Sequence, residues 1–201
     1  MRRLPIEKGT NWGEPGPVPD DAIEVASDAA AREALERARR DRRPFPPLLL
    51  RDGDLCRTLG GGAGAAPAGV RFAVDVGEAL LDGRHHLFVA HLIARTPLWR
   101  RAVVVMNAQW LGTWNLGPRA HPGDGLLDTY EVRLPLGQLL PVRSRLGHGT
   151  HLPHPGMRER RTAAVAWELE RPRTVRLDGV SVGRARSLSV RTRPDAAVVV
   201  I

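Results

Sequence analysis

From residue 69 to residue 201 the chain is a succession of short apolar, β-branched runs interrupted by glycine, and this texture limits the architecture more than any other feature. Runs at 70–76, 86–94, 102–107, 127–134, 163–169, 174–177, 187–191 and 196–201 are rich in valine and leucine and have the length of strands. Gly83, Gly125, Gly137 and Gly179 stand between them, where turns belong. At this spacing, and with little helix, an antiparallel β-sandwich is expected. No internal repeat is present.

Ahead of residue 69 the pattern changes. Pro15, Pro17 and Pro19, with Gly13 and Gly16, make residues 1–21 an extended lead-in. A short strand at 22–26 precedes the alanine- and arginine-rich run 28–40, which has the strongest helical character in the chain. Ser27 or Asp28 can cap it, and Glu33 and Glu36 precede its later arginines. Pro44, Pro46 and Pro47 end the helix, residues 48–50 form a second apolar strand, and a Gly/Ala/Pro stretch occupies 60–69. The expected fold class is therefore mainly β with a small α/β appendage: a truncated α/β segment at 1–68 and a β-sandwich-like domain at 69–201. A chain of 201 residues can bury one good core, or one domain and a fragment of another.

The formal net charge is +8, carried almost entirely by arginine, since Lys8 is the only lysine. Arginine forks pair bidentately with phosphate, which admits ATP, phospholipid headgroups and nucleic acid as partners. The same arginine, alanine and glycine bias follows from high-GC coding, so charge alone decides nothing. Nucleic-acid binding rests on charge only, without a helix-turn-helix or zinc-finger spacing, and ranks last. A single cysteine, Cys56, rules out an internal disulfide framework and a thiolate metal site. The first residues lack a signal-peptide run and nothing approaches the ~20 apolar residues that span a bilayer, so a soluble, cytoplasmic protein is expected.

Three segments carry a more specific signal: VVVMNAQWLGTWNLGPRAHPGDGLLDTYEVRLPLGQLLP at 103–141, HLPHPGMRERRTAAVAWELE at 151–170, and TVRLDGVSVG at 174–183. In order and spacing they resemble the C-terminal β-domain of the soluble diacylglycerol kinase family, which also contains the sphingosine and ceramide kinases. The resemblance covers about half the chain. It implies ATP-dependent phosphorylation of a lipid hydroxyl, with Mg2+ and ATP as cofactors, a lipid or phosphorylated small molecule as partner, and peripheral membrane contact.

Residue by residue the match is uneven. The family's G-G-D-G-T loop cradles ATP phosphates at a helix start. Here LLLRDGDLCRTLGG keeps Gly53, Asp54 and the trailing Gly60 and Gly61 but lacks the full motif, so a plain turn is the alternative. The family's magnesium ligands map to Asp124, His121 and Leu126 in HPGDGLLD, where a simple β-turn is equally open. Asp178 and Gly179 match the start of the family's Asp-Gly-Glu, in which the glutamate is the general base. Val180 replaces that base, leaving Asp178 to assist through water or metal, or to form a hairpin turn. The resemblance thus implies a lipid-kinase-like protein, weak or inactive alone. A second reading is a non-catalytic module that binds lipid or completes a partner's nucleotide domain by edge pairing. An apolar pocket between Trp110, Trp114 and Asp178 would favour lipid binding, and a flat apolar face near residues 48–50 would favour a protein partner. His148, His151 and His154 have a spacing that zinc could use, but prolines break the segment.

Overall fold

The computed structural model describes residues 12–61 and 69–201; most of the glycine-rich stretch, Gly62 included, lies outside the described residues. In chain order the elements are β1 (Glu14–Pro15), β2 (Ile23–Val25), α1 (Asp28–Arg40), β3 (Leu48–Leu50), α2 (Asp54–Thr58), β4 (Val70–Leu81), β5 (Arg84–Phe88), β6 (His91–Arg95), β7 (Arg101–Met106), β8 (Leu127–Arg133), α3 (Leu139–Leu146), β9 (Met157–Thr162), β10 (Ala164–Leu177) and β11 (Val180–Val200). The path of the main sheet is β1-β4-β11-β10-β6-β7-β8-β9, antiparallel throughout. β2 and β3 are parallel, joined through α1, and β3 runs parallel to the end of β11. The expected mainly-β fold with a small α/β appendage is what forms, and the appendage extends the same sheet.

α1 forms where expected. Ser27 is its N-cap, its hydroxyl accepting the Ala30 N–H at 3.2 Å. Ala31, Leu35 and Ala38 recur at helical spacing and are buried, and Pro44 follows its end. Three strand expectations change in form. The run 86–94 breaks into β5 and β6 because the N–H groups of Val89, Ala90 and His91 turn to a carboxylate and leave the strand ladder. Runs 163–169 and 174–177 are one strand with a register shift after Glu168, and 187–191 and 196–201 are one strand with a bulge after Arg193. Pro172 and Pro194 sit in those irregularities, where the missing N–H is tolerated.

β9 and α3 were not anticipated. β9 carries Arg158, Arg160 and Arg161 on a strand that pairs with β8 alone among the described residues, a charged edge of the kind that resists further pairing. α3 contains Pro141, which its first turn accommodates because no N–H is required there. At eight residues it is too short to be helical by itself in water, and burial of Val142 and Leu146 holds it.

β7 separates two apolar layers. Val103 and Val105 face the interior of the sandwich with Leu92, Leu127, Leu177 and Leu188. Ala102, Val104 and Met106 face the other way, with Ile93, Tyr130 and Val132, and are roofed by α3 and Leu116. A third cluster packs α1, β3 and α2 against Phe72, Val74, Val89 and Val199. Each large apolar side chain buried in these layers contributes about 1.5–3 kcal/mol relative to exposure.

Candidate functional site

Two arrangements stand out, one polar and one apolar. The polar one lies where the α/β appendage meets the main sheet. Asp178, in the β10–β11 turn, has a fully buried carboxylate that accepts N–H groups from Val89 (3.0 Å), Ala90 (2.9 Å) and His91 (3.1 Å), with Arg32 Nε at 3.8 Å. Asp178 and Gly179 both have positive φ, 49° and 81°, so the Asp-Gly pair also makes the tight turn expected of it. His91 Nε2 lies 3.0 Å from Asp54 Oδ2, and Asp54 Oδ1 accepts the Gly112 N–H at 2.7 Å. Asp28 accepts the N–H groups of Asp54 at 2.6 Å and Leu55 at 3.0 Å.

Burial pushes the Asp28 carboxyl up to about 6, with the Asp178 charge adding to it. Burial raises Asp178 as well, against the pull of His91. For His91, burial opposes the charged ring, but the Asp54 hydrogen bond and the Asp178, Asp54 and Asp28 charges outweigh it and the value rises. For Asp54, burial is outweighed by the His91 hydrogen bond and charge, and the value falls. Asp28, Asp54 and His91 present one ligand atom each within 4.8 Å of one another, the geometry of a weak cation site.

Gly53, Asp54 and Asp178 are thus brought into one region through Asp28 and His91. The Gly-Asp segment does start a helix, but the N–H groups a phosphate would use at α2 already bind the Asp28 carboxylate. Gly53 has φ 118°, and a Cβ there would stand 2.6 Å from Asp28 Oδ1, so the glycine serves this contact. Gly60, at φ 89°, and Gly61 end α2; the Gly61 N–H bonds Cys56 O at 2.9 Å. As the residues stand they do not fit an ATP phosphate at this loop.

Asp124, His121 and Leu126 lie together in a separate loop. Asp124 Oδ1 accepts the Leu126 N–H at 2.9 Å, and Oδ2 pairs with the Arg161 guanidinium. A guanidinium therefore holds the place a cation would need. The His121 ring packs against Trp12 at a tilt of 50° with centroids 4.6 Å apart, and burial lowers its basicity. Asp75 pins the loop to β4: its carboxylate accepts the N–H groups of Gly125 at 2.7 Å and Asp195 at 2.9 Å. Asn107 joins the two regions, its side-chain amide donating to Asp75 O at 2.9 Å and Val89 O at 2.7 Å.

The apolar arrangement is a cavity of about 430 Å³ beneath α3, between that helix and the outer face of β7 and β8. Val104, Leu116, Val132, Leu139, Val142 and Leu146 form its walls, and Trp99 and Trp114 meet edge to face at 6.0 Å on its border. Leu98, Leu136 and Leu140 are exposed at its opening, Leu140 at 77 %. Tyr130 and His151, each 2 % exposed, contribute the inner polar atoms; the Tyr130 hydroxyl has no hydrogen-bond partner among the described residues, and the His151 ring lies against the Leu116 backbone. Burial lowers the His151 value, favouring a neutral ring.

This differs from the expected pocket. Trp114 lines it, but neither Trp110 nor Asp178 does; Trp110 instead lies under the Arg57 guanidinium at 3.6 Å. Leu48 and Leu50 are buried, so the flat apolar face expected of a missing partner is absent from the described residues. The three histidines do not converge: His154 accepts the Gly156 N–H, His148 is exposed, and His151 is in the cavity wall. No helix among the described residues is long and apolar enough to cross a membrane.

No protein-family model and no curated protein sequence matches the chain. Solved structures do. Two solved structures of a candidate diacylglycerol kinase from Bacillus anthracis str. Sterne superpose with a TM-score of 0.64 at 18 % and 16 % identity, covering 89 % of this chain and 77 % of theirs. A third structure, a crystal structure of a diacylglycerol kinase from the same strain, gives 0.56 at 16 % identity over 77 % of this chain and 66 % of that one. The chain therefore has the fold of the diacylglycerol-kinase-like lipid kinases.

Proposed function

We propose that this chain is a lipid-binding protein of lipid-kinase-like fold whose acyl-chain site is the cavity beneath α3, and that it does not transfer phosphate from ATP by itself. The observation that carries the reading is the cavity. Its volume of about 430 Å³ and its nearly continuous apolar wall suit a hydrocarbon chain. Each methylene moved from water into such a wall is worth about 0.8 kcal/mol, so roughly six would contribute about 5 kcal/mol before ordering costs. The Tyr130 hydroxyl, unpartnered among the described residues, and the neutral His151 ring supply hydrogen bonds for a lipid oxygen, such as an ester or hydroxyl. A diacylglycerol, as the solved relatives' names suggest, has both features.

The phosphoryl-transfer half of the family's chemistry is weakly represented. At the Gly53–Asp54 loop the Asp28 carboxylate stands where a phosphate would, and Val180 cannot accept a proton from a lipid hydroxyl. Residues 1–68 are read as a remnant of a nucleotide-binding domain and 69–201 as the lipid-side domain. A divalent ion at Asp124, His121 and Leu126 would have to replace Arg161. Asp178, whose carboxylate accepts the backbone N–H groups of Val89, Ala90 and His91, is read as a positioning residue for the β5–β6 corner. A second reading has one supporting observation: β2 pairs only with β3 among the described residues, leaving an edge to which another chain's strand could add.

The test is equilibrium binding of a fluorescent fatty-acyl probe, with displacement by diacylglycerol. Saturable binding that diacylglycerol reverses is expected; absence of saturable binding removes the reading.

A further inference from the structure

A second depression of about 670 Å³ lies on the other side of the loop carrying Thr96 and Pro97, and its lining is of opposite character. Arg95, Arg101, Arg171, Arg173 and Arg184 surround it, with Glu170 as its one carboxylate: five positive charges against one negative. The irregular segment of β10 between Glu168 and Arg173, whose register shift takes residues 169–172 out of the ladder, contributes Glu170, Arg171 and Pro172 to the lining. Arg101 pairs with Glu170, and Arg184 donates to Pro172 O at 2.9 Å. Arg171 and Arg173 have no ion-pair partner among the described residues. Burial, and then the charge of Arg101, disfavours the charged form of Arg173.

Five arginines against one carboxylate leave the depression with an excess of positive charge, and guanidinium forks match the oxygens of a phosphate in pairs. Arg95 belongs to both depressions, its guanidinium standing over the Trp99 ring at 5.1 Å. The apolar cavity and the arginine cleft are thus neighbours across one short loop. We propose that the cleft lined by Arg95, Arg101 and Arg173 is a phosphate-binding subsite, accepting a phosphomonoester or diphosphate group. Glu170 acts as an internal counter-ion that the phosphate displaces from Arg101. The subsite is separate from the Gly53–Asp54 loop and stands whether or not the apolar cavity takes a lipid.

The test uses the full chain in low salt and in moderate salt, because binding to a partly exposed arginine cluster weakens as ionic strength rises. Calorimetric titration with pyrophosphate probes a free phosphate source. Co-sedimentation with vesicles of phosphatidylcholine, with and without phosphatidic acid, probes a headgroup source. Arg101→Ala and Arg173→Ala are each expected to weaken binding about tenfold. Glu170→Gln is expected to strengthen it, a result that general loss of folding cannot mimic. Arg40→Ala, on the exposed end of α1, is the control for net charge and is expected to change little. Saturable pyrophosphate binding that is lost in the cleft variants assigns a free phosphate ligand. Binding only to phosphatidic acid vesicles, again lost in the cleft variants, assigns a lipid headgroup. Absence of both, or losses no larger than that of Arg40→Ala, overturns the proposal.

Discussion

The Asp28 carboxylate accepts the backbone N–H of Asp54 at 2.6 Å, so the start of α2 is already occupied by a negative charge from α1. Phosphate sites at helix starts work because free N–H groups and a favourable dipole await an anion. Here the anion is built in. Titration with Mg-ATP is therefore expected to show no binding in the micromolar range, and micromolar affinity would contradict this account of the loop.

The same carboxyl gives stability a pH signature. Its value in the fold is about 6, against about 4 for an ordinary aspartate, so the folded chain holds the proton to higher pH than the unfolded chain. Its favourable contribution is complete below pH ~4 and is lost as pH rises towards ~6. His91, also raised, contributes below its ordinary value of ~6.5 and loses that contribution as pH rises through its folded value; Asp54, lowered, contributes above ~4 and loses it on acidification. Asp28→Asn cannot ionise. Its stability relative to the wild type is expected to improve by about 2 kcal/mol between pH ~4 and ~6, read from denaturant unfolding. A difference independent of pH would count against the buried, raised Asp28.

Asp178→Ala removes the acceptor for three N–H groups at the β5–β6 corner and leaves Arg32 buried without its charge partner. A loss of about 3–5 kcal/mol is expected. Asp178→Asn, which keeps an acceptor, should lose less. Equal, small losses in both would argue that the corner does not depend on this carboxylate.

Val180→Glu would recreate the family's Asp-Gly-Glu on β11, where Val180 is 43 % exposed and an added carboxylate can be solvated. A base accelerates only a reaction whose phosphoryl donor is already positioned. No transfer from labelled ATP to diacylglycerol vesicles is therefore expected above background. Activity in the wild type or a clear gain in the variant would show that the nucleotide site works.

Asp124→Ala breaks both the turn to Leu126 and the pair with Arg161, and should lower the melting temperature by a few degrees. If the loop holds no metal, chelator leaves the wild-type melting temperature unchanged. A chelator-induced fall in the wild type, absent in the variant, would establish a bound ion.

Much of the fold was legible because its signals are local. Ser27 before an alanine-rich run capped α1, and short apolar, β-branched runs set off by turn signals marked β4, β7 and β8. The division of 86–94 was not legible, since only the distant Asp178 carboxylate draws the Val89, Ala90 and His91 N–H groups away from the ladder. α3 was hidden by Pro141 and by a weak apolar pattern, because its buried side chains complete a layer supplied by β7 and β8. For the site, Asp54 and Asp178 were visible in Gly-Asp and Asp-Gly pairs, but their meeting through His91 depends on tertiary contact. His91 and Asp75 did leave a trace, as ionisable residues flanked by apolar ones inside strand runs. His151 was seen only as one of three spaced histidines, and its place in the cavity wall follows from the loop after α3.

The most direct test of lipid binding beneath α3 is to fill the cavity. Val104, on the outer face of β7, lines it, and Val104→Phe adds volume there at a typical overpacking cost of ~1–3 kcal/mol, which thermal melting will report. The fluorescent acyl probe should bind the wild type saturably, and in a folded Val104→Phe chain its affinity should fall at least about tenfold, or ~1.4 kcal/mol. Unchanged probe affinity in that folded variant would contradict the account, since the chain would then bind lipid elsewhere or only nonspecifically.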